Sequence, residues 1–198
     1  MMKNIQRLLP LIATVALFGC TTTPPSRFYV LTPQASAVEA SRTADLVVGV
    51  GPVRLVDYLE RPQIVARDGA NLLRVEEFDR WGGTLETNVA WVMAENLSRV
   101  LGTDAVVTFP WERAVVPRFQ VAIDIRQFDP ASDNQVRLIA QWRILGDDDR
   151  ALYAIEKSEL TEVMGGTGFA AQVAAQSRLL ARLSEAIAAR IKQLGSSK

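Results

Sequence analysis

Two runs of strict alternation dominate the second half of the chain. Phe119, Val121, Ile123 and Ile125 alternate with Gln120, Ala122, Asp124 and Arg126. Val136, Leu138, Ala140, Trp142 and Ile144 alternate with Arg137, Ile139, Gln141, Arg143 and Leu145. A period of two sends the two sets to opposite faces of a strand. A less regular segment, Leu152 to Thr161, follows, and the links Asp129 to Asn134 and Gly146 to Arg150 are short. Short links join antiparallel neighbours, so the pattern predicts a meander with one packed face and one mostly wet face. The packed face needs a cover. Phe169 to Leu194 supplies it: Phe169, Val173, Leu180, Leu183, Ile187, Ile191 and Leu194 form a helical stripe, with Arg178, Arg182, Glu185 and Lys192 off it.

The first half repeats both themes. Leu85, Val89, Met93, Leu97 and Val100 predict a second amphipathic helix over Thr84 to Leu101, which Gly102 can end. Arg27 to Leu31 reads as a strand and Thr32 to Ala44 as a loop. Asp45 to Val53 is apolar on both alternate sets, which suits a strand buried on both faces. Leu55 to Arg61 turns; Gln63 to Arg67 and Leu72 to Phe78 flank Asp68-Gly69-Ala70-Asn71, a hairpin signal. Ala105 to Phe109 is a short strand ending at Pro110. Six or seven strands and two helices make an α+β domain, with a mixed, largely antiparallel sheet and both helices packed on one face.

The N-terminus carries a different message. Lys3 and Arg7 precede an apolar run, Leu8 to Phe18, of about eleven residues that Pro10 interrupts. A bilayer needs about 20 apolar residues, so this run reads as a secretory signal. Leu17-Phe18-Gly19-Cys20 resembles a lipobox, with Phe18 where a small residue is usual. Cys20 is the only cysteine of the chain, so no disulfide can form within it. Acylation accounts for that thiol, and acyl chains such as palmitate give firm membrane attachment. Residues 1–19 are then a lipoprotein signal peptide, 20–26 the lipidated cysteine and tether, and 27–198 a single periplasmic α+β domain. No aspartate follows Cys20; Thr21 and Thr22 do. This favours the inner leaflet of the outer membrane, with the domain facing the periplasm on a tether of roughly 20 Å.

Composition narrows the chemistry. The chain has no histidine, the commonest general base and metal ligand. An acylated Cys20 leaves no free thiolate. Asp147-Asp148-Asp149 beside Gly146 reads as a solvated hairpin turn, and Gly165-Gly166-Thr167-Gly168 lacks the Lys-Ser/Thr end of a phosphate loop. The expectation is a protein that is not an enzyme, with no metal and no cofactor beyond the covalent lipid on Cys20. Without Lys3 and Arg7, 20 basic residues face 22 acidic ones, which argues against nucleic acid as a partner.

Three segments carry a resemblance: VGVGPVRLVDYLERPQIVAR (Val48 to Arg67), EEFDRW (Glu76 to Trp81) and AENLSRVLG (Ala94 to Gly102). Together they resemble the PqiC-like (YmbA) family, auxiliary lipoproteins of ABC-type transport systems. Asp57-Tyr58-Leu59 with Arg61-Pro62 is the most specific part, and Val56 departs from the proline that often precedes it. The resemblance implies an outer-membrane docking component of an MCE lipid-transport system that maintains the envelope. Its partners would be an MCE-domain protein that spans the periplasm and its membrane permease. The alternative is a structural or assembly lipoprotein of another envelope complex.

On the first helix Trp91 falls opposite the apolar stripe, with the small residues Thr87, Ala94 and Ser98 around it. A tryptophan there is either an interface anchor, for a partner or for a second copy of the chain, or is covered by the domain itself. Tyr58 and Leu59 are a second candidate contact, or part of a local core. Arg61 and Arg80 are expected to pair with Asp57, Glu77 or Asp79.

Overall fold

The computed structural model describes residues 23–36, 46–130, 134–146 and 151–196. Cys20 and Asp147 to Asp149 lie outside the described residues. The described elements run β1 (Arg27–Tyr29), β2 (Val48–Leu55), a single 3-10 turn (Asp57–Leu59), β3 (Gln63–Arg67), β4 (Leu73–Trp81), α1 (Leu85–Leu101), β5 (Val106–Thr108), β6 (Phe119–Pro130), β7 (Gln135–Gly146), β8 (Leu152–Val163) and α2 (Gly168–Ser196).

The period-two runs form β6, β7 and β8, an antiparallel meander twelve residues long in each strand. Val121, Ile123, Ile125, Val136, Leu138, Ala140, Trp142 and Ile144 all point into the core. β2 joins this meander on the far side of β6, and β5 joins β2, both in parallel, giving the order β5-β2-β6-β7-β8. α1 packs on β2 and β5, α2 packs on β6, β7 and β8, and the helices pack on each other. Both therefore cover one face of this sheet.

Two features were not anticipated. The hairpin of β3 and β4 does not extend the main sheet. With β1 it makes a separate three-stranded sheet, in the order β1-β4-β3. Also, β2 carries Gly51-Pro52 just past its last pairing with β5, Val50 with Thr108, where a proline costs no ladder bond on that side. The register with β6 shifts between Val50 and Val53, and this irregularity accommodates it.

α1 has the capping chemistry its sequence calls for. The Thr84 hydroxyl accepts the Thr87 N–H at 3.2 Å, and Gly102 ends the helix in the left-handed region at φ 68°, its N–H donating to the Ser98 carbonyl.

The loop expected after β1 is in part a fixed strap. Leu31 and Ala35 are buried. The Asn96 side-chain carbonyl of α1 accepts the N–H groups of Gln34 and Ala35 at 2.9 and 3.0 Å, and the Ser177 hydroxyl of α2 accepts the Thr32 N–H at 3.1 Å. Gln172 and Gln176 of α2, also buried, donate to the carbonyls of Val65 and Phe128. Four polar helix residues thus sit in the interior because irregular backbone must find partners there.

Candidate functional site

Trp91 projects from the outer face of α1 and is 50% exposed. It lines a groove of about 180 Å³ whose opposite wall is the edge of the main sheet: Gly51, Pro52, Val53, Thr108 and Phe109. Phe109 is 52% exposed. Two half-bare aromatic side chains thus line the same groove, the kind of exposed apolar surface that marks an interaction site.

The position of Phe109 follows from the glycines of Val-Gly-Val-Gly-Pro in β2. The Phe109 N–H donates to the Val50 carbonyl at 2.8 Å, which pulls the segment after β5 against β2. A Cβ on Gly51 would stand 2.6 Å from the Phe109 Cβ, and Gly51 has φ 126°, so only glycine fits. Two residues back, a Cβ on Gly49 would come within 2.8 Å of the Trp111 ring and 2.9 Å of Pro117. Trp111 in turn packs edge-on against Phe109, ring centroids 5.5 Å apart. A second hollow of about 380 Å³, lined by Phe109, Trp111, Val116 and their neighbours, continues the surface. Val116 is 70% exposed. The groove and the hollow form one aromatic-rich face.

Of the residues singled out in the sequence, Thr87 is exposed and lines the groove with Trp91. Ser98 is half-buried. Ala94 is not on the outer face: it is 7% exposed and belongs to the core. The periodic stripe underestimated the buried arc of α1, which is flanked by the sheet, α2 and the strap together; Val92 and Asn96 are buried for the same reason. Leu59 is also core, at 3% exposed. Phe109, Trp111 and Val116 went unnoticed; the signal was an aromatic pair, Phe-Pro-Trp, in a proline-flanked loop.

Tyr58 is half-buried and its hydroxyl donates to the carboxylate of Asp129, which is fully buried at the end of β6. Arg67 of β3 donates to the same carboxylate at 3.2 Å, and Gln127 does so at 3.0 Å. Burial, then the bond to Asp129, pushes the Tyr58 phenol well above its usual range, and the bond to Asp129 raises Arg67. Tyr58 therefore stays protonated, and the cluster clamps the 3-10 turn and β3 to β6. The Asp-Tyr-Leu segment does structural work. Arg80 pairs with Glu77 as expected, whereas Asp79 pairs with Arg27.

Among the described residues no group of three or more cysteine or acidic side chains is placed to hold a metal. No described helix is long and apolar enough to cross a membrane.

A family described as the ABC-type transport auxiliary lipoprotein component matches residues 29–188. The chain belongs to that family. The auxiliary lipoprotein also shares its fold with protein XCC0632 from Xanthomonas campestris, at TM-score 0.72 and 16% identity over 87% of this chain and 100% of that one. A crystal structure of an uncharacterized protein is similar, at TM-score 0.70 and 17% identity over 85% and 99% of the two chains. Among curated proteins none matches the auxiliary lipoprotein by sequence. The PqiC-like resemblance carried by β2, the 3-10 turn, β4 and α1 is therefore sound, and it places the protein in the cell envelope as a transport component.

Proposed function

We propose that the protein is a non-enzymatic docking component of an MCE lipid-transport system, anchored by acylated Cys20 in the inner leaflet of the outer membrane. Its aromatic face receives the periplasm-spanning MCE-domain partner of the permease. The observation that carries this reading is the pair of half-exposed aromatic residues, Trp91 and Phe109, on the two walls of one groove. Aromatic anchors beside small residues suit a protein interface, whereas the buried ionic cluster Tyr58-Arg67-Asp129 is engaged in holding the fold.

The test uses the chain from Thr21 onward, which keeps every described residue. Trp91→Ala should weaken binding of the MCE-domain protein by about 2 kcal/mol or more while melting close to the wild type. Met93→Ala, at a fully buried site, should lose about 2–5 kcal/mol of stability. Light scattering, alone and with the partner, together with thermal melts, reads both. A Trp91→Ala chain that melts as early as Met93→Ala, yet still binds in its folded fraction, refutes the docking role.

A further inference from the structure

The three-stranded sheet has a second bare apolar surface, far simpler than the first. In β1, half-buried Tyr29 and the exposed Arg27 both reach Asp79, a buried residue of β4. Arg27 donates two hydrogen bonds of 2.7 Å to its carboxylate, and the Tyr29 hydroxyl donates a third at 2.8 Å. The alternation of a strand then sends Phe28 and Val30 the other way. Phe28 is 68% exposed and Val30 is 53% exposed. Phe28 stands in register with Arg80, whose guanidinium is held by Glu77, and Val30 lies over Gly82, where a Cβ would come within 3.0 Å of it. Half-buried Phe78 shares this outward face of β4.

What can cover Phe28 and Val30 is decided by where they lie in the chain. Phe28 comes eight residues after Cys20. At about 3.3–3.6 Å per residue, it cannot be more than roughly 29 Å from the anchored sulfur. A surface held on so short a tether meets the bilayer at a millimolar effective concentration. Two apolar side chains that would bind a free membrane only weakly are then sufficient for contact.

We propose that the outward face of β1 and β4, formed by Phe28, Val30, Phe78 and Arg80, lies on the lipid leaflet in which Cys20 is anchored. The proposal rests on the reading of Cys20 as the acylated residue.

The test places the photo-crosslinker p-benzoylphenylalanine at position 28, 30 or 163 in chains that begin at Cys20. Val163, at 61% exposed on β8, is the control. Each chain is coupled through Cys20 to a maleimide lipid in vesicles of phosphatidylethanolamine and phosphatidylglycerol, irradiated, and read by mass spectrometry for lipid adducts. Adduct yields about tenfold higher at 28 and 30 than at 163 are expected, a ratio equivalent to about 1.4 kcal/mol of preferential contact. Equal yields overturn the proposal, as does a protein–protein adduct at position 28, which would mean that a second copy covers β1. In parallel, the mass of the mature protein from cells reports whether Cys20 is acylated. An unacylated chain overturns the anchoring reading and the contact in the cell with it; an acylated chain with equal vesicle yields overturns the contact alone.

Discussion

Replacing Gly49 by alanine probes the construction of the aromatic face at its base. Gly49 does not have a left-handed φ, so alanine is acceptable to its backbone, and the cost must come from what the new methyl meets. That methyl would be 2.8 Å from two carbons of the Trp111 ring and 2.9 Å from Pro117, closer than van der Waals contact allows. Overpacking of this kind costs about 1–3 kcal/mol. In a domain of this size the corresponding fall in Tm is roughly 2–12 °C. The diagnostic measurement is a double-mutant cycle with Trp111→Ala, followed by denaturant melts. Once the ring is gone only Pro117 opposes the methyl, and alanine in a strand gains about 0.5–1 kcal/mol over glycine in chain entropy. The coupling should therefore be about 1–2 kcal/mol, within the range seen for residues in contact. Gly49→Ala alone should also weaken partner binding, because a displaced Trp111 carries Phe109 with it through their edge-on contact. The same cost in both backgrounds, or no cost in either, would refute the seating of Trp111 on β2.

Two further predictions concern the strap and the small sheet. Asn96→Ala leaves the N–H groups of Gln34 and Ala35 without their acceptor and should cost about 2–5 kcal/mol, with loss of hydrogen-exchange protection at both amides; retained protection would mean the strap is held by Leu31 alone. The hydrogen bonds from Arg27, and then that from Tyr29, hold the Asp79 carboxyl below its ordinary value of 3.8. A depressed folded-state value contributes stability above the unfolded value, and that contribution is lost as pH falls through the folded one. Stability should thus drop below about pH 4, and Asp79→Asn should flatten that part of the profile in acid melts; an unchanged slope would show that other carboxylates dominate there.

Much of the architecture could be read from residue order alone, because it depends on neighbours close in the chain. The period-two runs of β6 and β7, the stripe of α1, Thr84 and Gly102 at its ends, and the outward face of Trp91 all rest on local geometry that the backbone imposes wherever the element lies. The expectation of a signal ending at Cys20 likewise rests on composition and order, and it lies outside the described residues.

Pairings between distant segments needed the tertiary structure. β2 enters the sheet between β5 and β6, and β3 with β4 leaves it to pair with β1, because strand edges are interchangeable until packing selects among them. Asn96, Gln172, Gln176 and Ser177 look like solvent-facing helix residues; burial became favourable only when the strap, β3 and β6 presented backbone groups for them to bind. Ala94, off the apolar stripe, is nevertheless part of the core. The aromatic face itself joins Trp91 to Phe109, eighteen residues later in the chain, through the two glycines of β2. Each half was visible in the residues, but their juxtaposition was created by the close approach that those glycines permit.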